Sequence, residues 1–235
     1  MDEQLSRDIP ALAALEDELP RRIYQLVRRA DHPSSREEIA AQTGISRRLA
    51  AFHLERLLER GLLKASYARP PGRSGPGAGR TSKYYQPSSL HVEVSLPGRR
   101  YDLAGKLLIE AIKGQTPGER GIEAACRTAR AKGNELGDEV RRERKLRPPG
   151  PERTMGVATE VLEDLGFEPY KPEPNVVALR NCPFHDLAKE APDLMCEMNQ
   201  AFIDGLLRGL GNDSVESVLA CKPGDCCVTL RAPKR

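Results

Sequence analysis

Five of the six cysteines lie beyond residue 181, at Cys182, Cys196, Cys221, Cys226 and Cys227. Thiolates are soft ligands, and Cys182 with His185 forms C-x-x-H, a spacing that can serve one metal ion. Cys196 follows Cys182 by 14 residues and Cys226 follows Cys196 by 30. No C-x-x-C pair occurs, so the pattern is not that of a zinc ribbon. Cys226 and Cys227, read as strand neighbours, face opposite sides, so at most one joins a given site. Metal or redox use competes with plain burial, because free cysteine often fills cores. A Cys182–His185 nucleophile and base would lack a third, orienting group, and two residues three apart on a turn rarely reach that geometry. No P-loop, dinucleotide fingerprint or H-E-x-x-H appears, and the chain is read as a non-enzyme. Cys126, in Ala124-Ala125-Cys126, reads as helix packing.

The elements around these cysteines read as a small α+β domain over 152–235. A helix over 154–165 stops at Gly166, and short strands over 167–170 and 176–180 flank the Pro-rich 171–175. The helix over 193–210 carries Met195, Met198, Phe202 and Leu206 on a core face. Strands over 214–221 and 225–231 are joined by Lys222-Pro223-Gly224, a turn sequence. Arg147-Pro148-Pro149-Gly150-Pro151 marks a linker. Before it, 91–146 reads as a helical connector. One helix, over 101–112, has Leu103, Leu107, Leu108 and Ile112 on one side. The other, over 117–144, contains Gly121, Gly133 and Gly137, which weaken a helix or allow close contact. The connector either pairs two protomers or packs on its own N-terminal domain.

Residues 33–87, within an N-terminal domain over 1–90, read as a winged helix-turn-helix. Ser35 and Glu38 have capping-box spacing, and Gly44 follows the first helix. Ser46 caps a second helix over 47–60, stopped by Gly61, with Ala50, Leu54 and Leu57 as its core stripe. The other side presents Arg47, Arg48, His53 and Arg56, the residues expected to meet DNA. Strands over 62–67 and 83–86 form a wing whose Pro- and Gly-rich loop bears Arg69, Arg73 and Arg80, with Lys83 just beyond; these are the expected backbone or minor-groove contacts. Residues 21–90 hold 14 Lys and Arg against 5 Asp and Glu, within a chain of net charge +3. A basic module on a nearly neutral body suits nucleic acid. The acidic first twenty residues read as a solvated leader.

The segment Ile45-Ser46-Arg47-Arg48, Ala50, His53-Leu54, Leu57, Gly61-Leu62-Leu63 and Gly79-Arg80-Thr81-Ser82-Lys83-Tyr84-Tyr85 resembles the winged helix of ArsR-like bacterial transcription regulators. That resemblance implies a homodimer on a roughly palindromic double-stranded DNA site. Asn181-Cys182, the helix start Pro192-Asp193-Leu194-Met195-Cys196 and a cysteine before the final strand resemble the SufR-type iron–sulfur-sensing repressors. This second likeness implies a [4Fe–4S] cluster on Cys182, Cys196 and Cys226. His185 beside Cys182 and the doubled Cys226-Cys227 depart from that frame and leave zinc open, with His185 or Cys227 as the further ligand.

The absence of an apolar run of membrane length and of a secretory start predicts a cytoplasmic chain without membrane partners. Such a setting keeps cysteines as thiols or ligands rather than disulfides. The expected function is a dimeric transcription regulator whose cysteine site modulates operator affinity. The alternative is a regulator answering to a small organic ligand or to thiol oxidation with no bound metal.

Overall fold

The computed structural model describes residues 3–68, 81–146, 150–211, 214–220, 222 and 224–233. They form an α+β protein of two compact units, 1–94 and 95–235.

The first unit is the winged helix. Its elements are α1 (Glu3–Ala13), α2 (Glu18–Arg29), β1 (Ser34–Ser35), α3 (Arg36–Thr43), α4 (Arg47–Glu59), β2 (Leu63–Ala68) and β3 (Ser82–Pro87). The strands form an antiparallel sheet in the order β1-β3-β2. Ile23, Val27, Ile39, Leu54 and Leu57 are buried at its centre. The acidic leader is instead helical: α1 buries Ala11, and Asp8 is fully enclosed with Oδ2 accepting from the Glu93 amide at 3.3 Å. Small apolar residues between acids made this segment look solvated, although Ala11 and Ala14 are buried in the core of this unit, with Leu15 and Leu19 packed against it.

The second unit contains α5 (Tyr101–Lys113), α6 (Gly121–Glu143), α7 (Pro151–Asp164), β4 (Pro169–Glu173), β5 (Val176–Leu179), α8 (His185–Glu190), α9 (Pro192–Gly209), β6 (Glu216–Leu219) and β7 (Val228–Arg231). Its antiparallel sheet runs β4-β5-β7-β6. The segment read as a Pro-rich connection is mostly strand β4, with the turn confined to Pro174 and Asn175. The helices α5 and α6, read as part of a connector, share one hydrophobic core with α7, α9 and the sheet. The core side of α5 is Ala104, Leu107 and Ala111, whereas Ile112 is 73% exposed.

The crossing of α6 and α9 holds this unit together. A β-carbon on Gly133 would collide with the Phe202 carbonyl oxygen and come within 2.9 Å of the Leu206 nitrogen. A β-carbon on Gly205 would likewise strike the Arg130 carbonyl and approach the Asn134 nitrogen at 2.9 Å. With Gly137 and Gly209 in the same relation, the two helices meet backbone to backbone. The glycines that weaken α6 as an isolated helix are what let α9 lie against it.

Candidate nucleic-acid interface and thiol site

Local sequence sets the reader helix. Ser35 Oγ accepts from the Glu38 amide at 3.2 Å, and Glu38 Oε2 accepts from the Ser35 amide at 2.7 Å, closing the capping box of α3. Gly44 turns the chain with φ 74°, a left-handed value that a side chain disfavours. Ser46 Oγ then accepts from the Leu49 amide at 3.2 Å and starts α4. Ala50, Leu54 and Leu57 are fully buried, which turns Arg47, Arg48 and Arg56 outward as exposed side chains.

His53 and Lys83 sit differently from the arginines. The His53 ring is half-buried, with Nδ1 enclosed and unpartnered. Burial, and then the Arg56 charge, push its pKa below the usual histidine range. Lys83 Nζ donates to both Glu55 oxygens at 2.7 Å, and Tyr85 Oη donates to Oε1 at 2.6 Å. That cluster ties β3 to α4, so the ammonium read as a phosphate contact is engaged within the fold. The reader helix also exposes Leu49 and Phe52, at 40% and 57%, which a reading centred on charge passed over. Arg69, Arg73 and Arg80 lie outside the described residues.

In the second unit the loop after β5 is fixed by Asn181. Its Nδ2 donates to the Gly98 carbonyl at 2.9 Å and the Gly166 carbonyl at 2.5 Å, while Oδ1 accepts from Arg99 at 2.6 Å. The Cys226 amide donates to the Leu179 carbonyl at 2.8 Å. These anchors bring the Cys182 and Cys226 thiols into a direct hydrogen bond. The contact drives the two apart in acidity. The Cys182 pKa is lowered by the hydrogen bond from Cys226, against the effect of burial. The Cys226 pKa is raised by the same bond and by burial.

A third group joins them. Asn199, 2% exposed on α9, donates from Nδ2 to Cys226 Sγ at 3.4 Å, while its Oδ1 is buried with no partner. Cys196 is half-buried one helical turn earlier, on the same side of α9. His185 opens α8 as an exposed side chain and Cys227 is half-buried; both cysteines at 226 and 227 precede β7 rather than lie in it. Among the described residues, no three His, Cys, Asp or Glu side chains are grouped as metal ligands. Two of the expected cysteines are thus together. Cys221 lies outside the described residues. The two interacting thiols and the orphaned carboxamide oxygen are donors, but among the described residues they do not complete a set of metal ligands. Arg99 and Asn199 were missed in the sequence, and Asn181 entered there only as the neighbour of Cys182. Only Asn199 left a signal there, a polar residue within the apolar run of α9.

No helix among the described residues is long and apolar enough to cross a membrane. No curated protein matches the chain. The family model for winged helix-turn-helix DNA-binding domains matches residues 16–64, which run from before α2 into β2.

Proposed function

We propose that the chain is a dimeric transcription regulator that reads duplex DNA with α4 and tunes its affinity through the cysteine site. The observation that carries this reading is the exposed Arg47–Arg48 pair in the first turn of α4, inside the winged helix. The start of a recognition helix approaches base edges, where arginine pairs with guanine and apolar side chains such as Phe52 meet thymine methyls. Arg56 and the wing residues Arg69, Arg73 and Arg80 are assigned to the phosphate backbone. In the test, the full chain selects its site from random duplexes, and an Arg47→Ala/Arg48→Ala variant is titrated against the winner. A loss of about 1–3 kcal/mol per base-reading arginine is expected. Unchanged affinity overturns the assignment of the reader helix.

Dimerisation is supported by α5, which exposes Ile109 and Ile112 at 59% and 73% beside Asp102, Lys106, Glu110 and Lys113. Laid antiparallel on a second copy about Leu108, the helix sets Lys106 of each copy opposite Glu110 of the other. Its charges are therefore self-complementary, as an isologous contact requires.

For the sensor, Cys182 and Cys226 would hold a [4Fe–4S] cluster or zinc only once Cys196, on α9, is drawn to them as a third ligand. When bound, such a group cross-links the loop after β5, α9 and the chain before β7 through metal–sulfur bonds. The direct thiol contact also favours a second reading, a peroxide-driven switch. Hydrogen peroxide takes two electrons and two protons from Cys182 and Cys226, giving one disulfide and two waters. Metal analysis of anaerobically purified protein and mass spectrometry of peroxide-treated protein separate the two.

A further inference from the structure

We infer that α2 carries a second DNA-contacting surface, with Arg22 and Arg29 on the phosphate backbone beside the bases that α4 reads. The inference rests on the proposed reading of the chain as a duplex-DNA regulator.

Within its 12 residues α2 holds four arginines and one acid, Glu18. Ile23 and Val27 turn inward, while Arg21, Arg22, Arg28 and Arg29 are exposed on the other side. Among the described residues, the ion pairs of this unit join His32 to Glu38, Arg36 to Glu37, Lys83 to Glu55 and His91 to Glu93, and none reaches an α2 arginine. The nearby acids Asp17, Glu18 and Asp31 stand at the two ends of the helix. The second unit treats its arginines differently: along α6, Arg127, Arg130 and Arg141 each hold a carboxylate. Uncompensated guanidiniums repeated along one helix fit a repeating anion such as a phosphate backbone. Two of the four are occupied within the unit. Arg21 Nε donates to the Leu15 carbonyl at 2.9 Å and its guanidinium also bonds the Glu16 carbonyl, while Arg28 lies 5.9 Å over the Tyr24 ring. Arg22 and Arg29 form the row next to the reader. Arg22 donates to the Gln42 carbonyl at 3.4 Å, at the end of α3 and just before the turn into α4. Seven residues apart, Arg22 and Arg29 are about 10.5 Å apart along the helix axis. They therefore reach separate phosphates, since one strand of duplex advances about 3.4 Å per phosphate. Such contacts fix register and add salt-dependent affinity without reading sequence.

The test uses the full chain as wild type, as Arg22→Gln/Arg29→Gln and as Arg29→Gln. Lys132→Gln/Arg142→Gln, at exposed positions of α6, removes equal charge from the second unit and is the control. Each is titrated over a fourfold range of salt against the duplex that wild type selects and against a random duplex of the same length. Arg22→Gln/Arg29→Gln should bind both duplexes more weakly and keep the wild-type preference between them. Its salt slope should flatten by about 1.8 per bound protomer, at about 0.9 per phosphate. A fourfold rise in salt then weakens wild type roughly tenfold more per protomer than this variant. Arg29→Gln should flatten the slope by about half as much. The Arg29 side chain has no hydrogen bond or ion pair among the described residues, so this variant carries the test if the Arg22 change disturbs α3. The control should keep the wild-type slope. A wild-type slope in both α2 variants overturns the inference while the DNA reading stands, and so does a control that flattens as much as the double variant. Lost preference with an unchanged slope makes α2 part of base readout and overturns it too. Wild-type chain that binds neither duplex overturns the DNA reading and this inference together.

Discussion

Replacing Gly133 by alanine adds one methyl group where α6 has none to spare. In an open helix the change is favourable, by about 1 kcal/mol, because alanine loses less backbone freedom. At Gly133 the new carbon meets the Phe202 carbonyl and the Leu206 nitrogen, both main-chain atoms of α9, and neither can swing aside as a side-chain tip would. Overpacking of a close-packed site costs about 1–3 kcal/mol, and a clash with backbone belongs at the upper end. The net is a loss of roughly 2 kcal/mol, or a fall of roughly 4–8 °C in Tm for a unit of this size. Gly156, a helical glycine of α7 with open space for 4 Å around the point a methyl group would occupy, is the control, and Gly156→Ala should raise Tm instead. Thermal unfolding by circular dichroism, with hydrogen exchange followed on peptides from α6 and α9, reads both effects. If Gly133→Ala melts at or above wild type, α6 and α9 do not meet through their backbones and the account of this crossing is wrong.

Partial burial works against the Glu55 carboxylate, yet the Lys83 and Tyr85 hydrogen bonds outweigh that penalty and hold its pKa below 4.5. Its contribution is therefore present above that value and lost as pH falls through the depressed one, so Glu55→Gln should lower Tm at neutral pH and match wild type in acid; an equal gap at every pH refutes the pairing. His53, with its pKa pushed down, is neutral at pH 7, so His53→Gln should leave the salt dependence of DNA binding unchanged. Arg56→Ala should flatten that slope by about one unit, and a slope change for His53→Gln would mean the ring is charged on DNA. Ile109→Glu with Ile112→Glu, outside the core of α5, should leave the fold intact and shift the particle mass from dimer to monomer by light scattering. An unchanged mass removes α5 from the interface.

The winged helix was legible because its signals are local. Ser35 with Glu38, Gly44, Ser46, and the spacing of Ala50, Leu54 and Leu57 each act within a turn or two, and each forms as read. The ion pair of Lys83 went unread for the opposite reason: its partner Glu55 is 28 residues away, and no periodicity announces a cross-element ion pair. The same holds for Asn181, whose three partners come from two other segments of the second unit. Glycine cut both ways. Locally Gly133 and Gly137 either weaken α6 or allow a close contact, and the approach of Phe202 and Gly209 shows the close contact. The thiols lay in between, since spacing marked Cys182 and Cys226 as candidates but only folding brings them into contact.

The glycine crossing also governs how motion travels. Helices packed through long side chains absorb a small shift by changing rotamers, like gears with backlash. Where Gly133, Gly137, Gly205 and Gly209 meet the facing helix, main chain touches main chain and no rotamer takes up that play, so α6 and α9 shift there as one stiff piece. With 23 residues, α6 is a rod about 35 Å long. It packs against α5, so the helix that exposes Ile109 and Ile112 rests on the same rod.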